Sequence, residues 1–137
     1  MLADYVIDSS SVLAFAFAEP GAEIVVGIAA DDDNRLSISS VNMAEVLTKM
    51  IDKGMPIDVA VEIIAPLVLD EVPFDHGFAR ASSELRTITR RCGLSLGDRG
   101  CLALGRLRKA PILTADRQWL DVADDVGVEI IVTRPDA

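Results

Sequence analysis

The chain has 137 residues, half of them hydrophobic, with 22 acids against 13 bases and a formal net charge of −9. That length fits one compact domain over residues 1–137, with a core large enough to fold without staples, and the apolar content excludes a disordered tail protein. The longest apolar runs, residues 12–18 and 24–30, are far shorter than the ~18 residues that cross a bilayer, so no membrane span is expected. Residues 1–4 carry no basic stretch ahead of an apolar one and do not read as a signal peptide. Cys92 and Cys101 belong to no CxxC pair, as expected of a protein kept in a reducing cytoplasm. With His76 the single histidine, mechanisms needing two imidazoles and a His-rich zinc site are excluded. Chemistry in this chain falls to carboxylates.

In chain order, residues 4–7 are apolar and run into Asp8-Ser9-Ser10-Ser11, a cluster of capping residue types. This predicts a strand and then a helix over about 10–17. Pro20-Gly21 breaks that helix and opens a second one to about residue 30. Leu36-Ser37-Ile38-Ser39 alternates as a strand, and Ser40 caps a helix over about 41–53 that ends at Gly54. Pro56 starts a helix to about residue 69, followed by a short edge strand at 71–74 that contains Pro73. A long helix is predicted over about 75–91. Ser95-Leu96-Gly97-Asp98 resembles a capping box and opens a helix to about Arg108. Strand 112–114, a short helix from Asp116 and strand 128–132 complete the chain. Strands separated by helices predict an α/β fold, a three-layer α/β/α sandwich around a mostly parallel sheet.

Charge is unevenly placed. Residues 1–79 hold 14 acids and 3 bases, whereas residues 80–117 hold 9 bases and 3 acids. A basic segment inside an acidic chain can hold phosphate locally, although most charge runs are solvated helix faces.

Ligands of open α/β sheets collect beyond the carboxyl ends of the strands. Asp8 directly follows the first strand and Asp116 the strand at 112–114; Glu45 and Asp98 stand in the early turns of their helices. Carboxylates without His or Cys companions are the donor set for Mg²⁺ or Mn²⁺, which can orient a water and stabilise phosphoryl oxyanions. Each has a simpler reading. Asp8, Asp98 and Asp116 can be helix caps, and Glu45 can pair with Lys49 at i,i+4 for only ~0.3–0.5 kcal/mol. Glu45, however, sits in the mostly apolar stretch 42–47, where a carboxylate needs a partner.

Val6-Ile7-Asp8-Ser9-Ser10, Ser39-Ser40-Val41-Asn42-Met43-Ala44-Glu45-Val46, the stretch from Leu94 to Leu104 containing Ser95-Leu96-Gly97-Asp98-Arg99-Gly100-Cys101, and Ile112-Leu113-Thr114-Ala115-Asp116-Arg117-Gln118-Trp119 occur in that order. The set resembles the PIN-domain ribonucleases and, within them, the VapC toxins of type II toxin–antitoxin pairs. The resemblance implies that Asp8, Glu45, Asp98 and Asp116 form an acidic site for Mg²⁺ or Mn²⁺, with Ser9 and Thr114 supporting it; Asn42, on the same helical face as Glu45, is a further supporting candidate. The resemblance implies RNA hydrolysis by a metal-activated water, leaving a 5′-phosphate and a 3′-hydroxyl. It also implies an antitoxin partner and a homodimer. Arg80, Arg86, Arg90, Arg99 and Arg117 of the basic segment are candidates to hold the RNA backbone. The chain departs from relatives at Arg99-Gly100-Cys101, where many carry Ala after the Asp, and at Trp119, where Phe is usual. Gly100 and Gly105 weaken their helix by ~1 kcal/mol each unless a neighbour needs the space.

An antitoxin is expected on the acidic N-terminal half, against apolar stripes that include Val12, Leu13, Phe15, Phe17, Val46, Leu47, Ile63, Ile64 and Leu67. Two other readings compete. One is a non-catalytic PIN-like binding module. The other is a phosphatase with Asp8 as nucleophile, which would place a second Asp where this chain has Ser10.

Overall fold

In a computed structural model, which describes residues 2–134, five strands form one sheet. They are β1 (Ala3–Ile7), β2 (Asn34–Ser39), β3 (Asp70–Val72), β4 (Ile112–Thr114) and β5 (Ile130–Val132). Their order is β3-β2-β1-β4-β5, and every neighbouring pair is parallel. Eight helices alternate with them: α1 (Ser9–Ala16), α2 (Ala22–Ala29), α3 (Ser40–Asp52), α4 (Ile57–Ile64), α5 (His76–Glu84), α6 (Arg86–Thr89), α7 (Leu96–Arg108) and α8 (Ala123–Val126). The α/β/α sandwich expected from the sequence is the fold observed.

The pleat of the sheet divides the core in two. Val6 and Ile112 face a layer containing Phe78, Leu85, Leu102, Leu104, Trp119 and Val126, contributed by α5, α7 and the chain after β4. Their neighbours Ile7 and Leu113 face the opposite layer, with Val12, Val25, Val46, Met50 and Ile64 from α1 to α4. Val6, Ile7, Ile112 and Leu113 are fully buried, each contributing roughly 1.5–3 kcal/mol by leaving water. β2 alternates Leu36 and Ile38 with Ser37 and Ser39, and all four are buried. The serine side is covered by α7, from which Arg108 Nη1 donates to Ser37 Oγ at 2.9 Å. That close approach needs small residues. A Cβ on Gly105 of α7 would collide with the Ile112 side chain, whereas one on Gly100 would meet nothing nearer than 3.7 Å. Gly105 therefore offsets its helix penalty through packing, and Gly100 does not.

Two predicted helices are shorter than their hydrophobic patterns. α4 ends at Ile64 and tightens into a 3₁₀ turn, Ala65–Leu67, because Pro66 lacks the N–H that would continue the ladder. The helix expected over 75–91 breaks into α5, α6 and a 3₁₀ turn at Arg90–Cys92. Phe78, Ser82, Leu85 and Thr89 still point inward. Ser82 Oγ and Thr89 Oγ1, however, donate back to the Phe78 and Leu85 carbonyls at 2.9 Å, a contact that bends helices. The edge position of the third strand is as expected, but β3 ends before Pro73; β5 starts at Ile130 instead of Val128, and α8 was not anticipated.

Candidate active site

From β1 the chain runs to β2 and β3 on one side, then returns to place β4 and β5 on the other. The carboxyl ends of β1 and β4 thus flank the switch point of the sheet, where crevices of such folds form. A cleft of about 410 Å³ opens there, and Asp8, Glu45, Asp98 and Asp116 all line it, together with Glu19, Lys49 and Arg134.

Asp8 stands at the cap position of α1, yet its side chain makes no cap bond. Its carboxylate instead accepts the Ser10 hydroxyl at 2.7 Å and the Thr114 hydroxyl at 3.0 Å, both on Oδ2, with Ser9 Oγ at 3.5 Å from Oδ1. Only 3% exposed, its pKa is raised to about 6. Burial is the main cause and the charges of Asp98 and Glu45 add to it, against the Ser10 and Thr114 hydrogen bonds. The same three carboxylates act on Cys101, whose thiol is pushed up by burial first and then by Asp8, Asp98 and Glu45.

The simpler reading of Glu45 is not realised, since the structure shows no Glu45–Lys49 ion pair among the described residues. Glu45 Oε1 accepts from Asn42 Nδ2 at 2.8 Å, and the same amide nitrogen donates to the Gly97 carbonyl at 3.1 Å. For Asp98 and Asp116 the cap is real. Ser95 and Asp98 form the anticipated reciprocal capping box on α7, with Asp98 Oδ2 accepting from the Ser95 N–H at 3.0 Å. Asp116 Oδ1 accepts from the Gln118 N–H at 2.9 Å at the start of the 3₁₀ turn Arg117–Asp121.

Of the three supporting residues read from sequence, Asn42 and Thr114 bond directly to site carboxylates and Ser9 only at long range. Ser10 was missed in this role. Besides bonding Asp8, its oxygen accepts from the Ala115 N–H at 2.9 Å and so ties the loop after β4 to Asp8. A run of three serines offers no signal that distinguishes it. None of Arg80, Arg86, Arg90, Arg99 and Arg117 lines the cleft. Arg80 pairs with Glu84 on the surface, and Arg99 Nη1 donates to the Ser82 carbonyl while its buried Nε has no hydrogen-bond partner. The cations of the cleft are Lys49 and Arg134, neither of which stood out in the sequence.

Among the described residues no three His, Cys, Asp or Glu side chains close into a metal cage. The donor set nevertheless fits Mg²⁺ or Mn²⁺, which keep several waters and need only one or two carboxylates. Asp8, buried and near the charges of Asp98 and Glu45, is the carboxylate that such an ion would relieve most.

The sequence matches the PIN domain over residues 5–125, and the chain belongs to the PIN-domain family. No curated protein matches it. Among solved structures, a toxin–antitoxin complex from Klebsiella pneumoniae is similar at 14% identity and TM-score 0.72, covering 96% of this chain and 99% of that one. The VapBC2 complex of Rickettsia felis, bound to a DNA fragment from its promoter, is similar at 16% identity and TM-score 0.70, covering 93% and 97%. VapBC-5 of Mycobacterium tuberculosis is similar at 23% identity and TM-score 0.63, covering 97% and 99%.

Proposed function

We propose that this chain is a Mg²⁺- or Mn²⁺-dependent endoribonuclease and the toxin of a type II toxin–antitoxin pair, acting in the cytoplasm. The observation that carries this reading is the convergence of buried Asp8 with Glu45, Asp98 and Asp116 on one cleft at the sheet's switch point. Asp8, Glu45, Asp98 and Asp116 would hold the ion, which when bound supplies an activated water and neutralises charge on the phosphate. Ser10 and Thr114 fix the Asp8 carboxylate by engaging its Oδ2. Lys49 and Arg134 flank the acids and are placed to meet the phosphodiester. Hydrolysis by a metal-activated water, leaving a 5′-phosphate, fits a chain with one histidine, because cutting by the 2′-hydroxyl usually employs paired imidazoles.

The similar structures are toxin–antitoxin complexes, which supports an antitoxin partner. Of the stripes expected to receive it, Val12, Leu13, Val46, Ile64 and Leu67 are largely taken up by the core, whereas Phe15, Phe17, Leu47 and Ile63 stay half-buried. The apolar side chains left outside include Ile57, Val59 and Val61 of α4 and Val68, itself 81% exposed. Beside them Met43, Leu47, Val61, Ile64, Val68 and Leu69 line a groove of about 290 Å³. We assign the antitoxin to that face and retain the homodimer as part of the proposal.

Incubating total RNA with the purified protein and Mg²⁺ or Mn²⁺ tests the reading. Cleavage that leaves 5′-phosphate ends, stops with EDTA and is lost in Asp8→Asn is the expected result. No cleavage with either metal, or cleavage undiminished in Asp8→Asn, would leave a binding module as the better description.

A further inference from the structure

Glu45 is the one site carboxylate that neither caps a helix nor leaves the end of a strand; it sits inside α3. Its place in the cleft is set by two residues from different elements. Asn42, one turn earlier on α3 and fully buried, donates to Glu45 Oε1 and to the Gly97 carbonyl of α7. Those two acceptors fix which way the amide faces, because a flipped amide would set oxygen against oxygen. In that orientation Asn42 Oδ1 is buried with no hydrogen-bond partner. Gly97 supplies the other half. A Cβ there would stand 2.5 Å from both Glu45 carboxylate oxygens and 2.7 Å from the carbon between them.

A residue serving only the fold would be chosen differently at 97. At 42 an apolar side chain of similar shape removes the orphaned acceptor but leaves the Glu45 oxygen and the Gly97 carbonyl without their donor, two effects of opposite sign on stability. At 97 an alanine strengthens the helix relative to glycine, and the atoms it meets are the far end of a flexible side chain that can swing aside. What neither replacement preserves is the position of the Glu45 carboxylate. We propose that Gly97 and Asn42 form a seat for that carboxylate, an empty volume on α7 and an aimed donor on α3, and act as positioning residues for cation binding. The proposal rests on the reading of the cleft as a cation site.

Mn²⁺ binding by titration calorimetry, with the melting temperature of the metal-free protein beside it, tests the seat without reference to RNA cleavage. Gly97→Ala should melt at or above the wild type and Asn42→Leu within a few degrees of it, and each should weaken Mn²⁺ binding at least tenfold. Because both act through one carboxylate, the double variant should be little weaker than either single one. In a Glu45→Gln background neither change should weaken binding further. Wild-type affinity in both single variants, with Glu45→Gln impaired, would overturn the seat alone. An equal further loss in the Glu45→Gln background would also overturn it, since the effect would not pass through Glu45. Failure of the wild type to bind Mn²⁺, or wild-type binding by Glu45→Gln, would overturn the cation site and the seat with it.

Discussion

At the floor of the cleft the Asp8 carboxylate is buried and bonded to two hydroxyls, with no helix N–H attached to it. At the rim Asp98 and Asp116 each direct one oxygen to the backbone of the turn they open. The two regions carry the same chemical group under opposite stability balances. The floor carboxylate is held where its charge is unfavourable, whereas the rim carboxylates support local structure as well as the cleft. Removing the charge should therefore stabilise the metal-free protein at the floor, whereas at the rim the loss of stability should follow removal of the hydrogen-bonding side chain.

The largest effect is expected for Asp8→Asn. Nuclease activity should fall at least ~100-fold, the scale on which a lost metal ligand or its electrostatic equivalent acts. Stability should move the other way. A carboxyl raised from 3.8 to about 6 on folding destabilises the folded state once it ionises there. The penalty is absent below pH 4, grows between 4 and 6 and is complete above 6, where it reaches about 3 kcal/mol. Metal-free Asp8→Asn should accordingly melt several degrees above the wild type at pH 7.5, and the gap should close as pH falls towards 4. A gap that widens towards acid would remove the distinction between floor and rim.

Thr114→Val comes next, expected to lower stability by ~1–3 kcal/mol. It removes the hydroxyl that donates to Asp8 and accepts from the Asp116 N–H at 3.1 Å, leaving that part-buried donor unpaired and the buried Asp8 Oδ2 with Ser10 alone. Denaturant unfolding measures it, and a neutral result would mean that Ser10 alone suffices to hold Asp8. At the rim Asp98→Ala should cost ~0.5–2 kcal/mol through loss of the capping box, while Asp98→Asn keeps an acceptor for the Ser95 N–H and most of that stability. Equal melting temperatures for the two variants would show that the cap contributes little and that Asp98 behaves like the floor.

The contrast between floor and rim was only partly legible in the sequence. The positions of Asp8 and Asp116 after strands follow from strand order and turn chemistry, and Ser95-Leu96-Gly97-Asp98 announces its capping box. That Asp8 would not cap α1 depends on Ser10 and on Thr114, 106 residues away, and no local pattern carries such a contact. The same limit applies to helix length. Phe78, Ser82, Leu85 and Thr89 keep a helical period through the break at Leu85, because the period reports which side faces the core and not whether the backbone ladder is continuous. Arg134 escaped notice for a third reason: it lies just beyond the last strand, in a stretch with no pattern, and reaches the cleft only because β5 is parallel to β4 and ends on the same side of the sheet.

Charge counts along the chain would put the proposed RNA on the arginine-rich stretch, whereas the cleft itself is flanked by Lys49 and Arg134. Binding of a short single-stranded RNA to Asp8→Asn, which leaves the strand uncut, separates the two paths. Each backbone phosphate contact with a single strand releases about 0.7 counterion, so losing one lowers the slope of log affinity against log salt by that amount. Lys49→Ala and Arg134→Ala should each reduce the slope by about 0.7 and weaken binding about fivefold at moderate salt, equivalent to ~1 kcal/mol. Arg86→Ala and Arg90→Ala, exposed on α6 and the turn after it, should leave the slope unchanged. The reverse outcome would place the backbone on α6, with the strand crossing the rim instead of descending beside Lys49, and Lys49 and Arg134 would then serve only to soften the field of the acids between them.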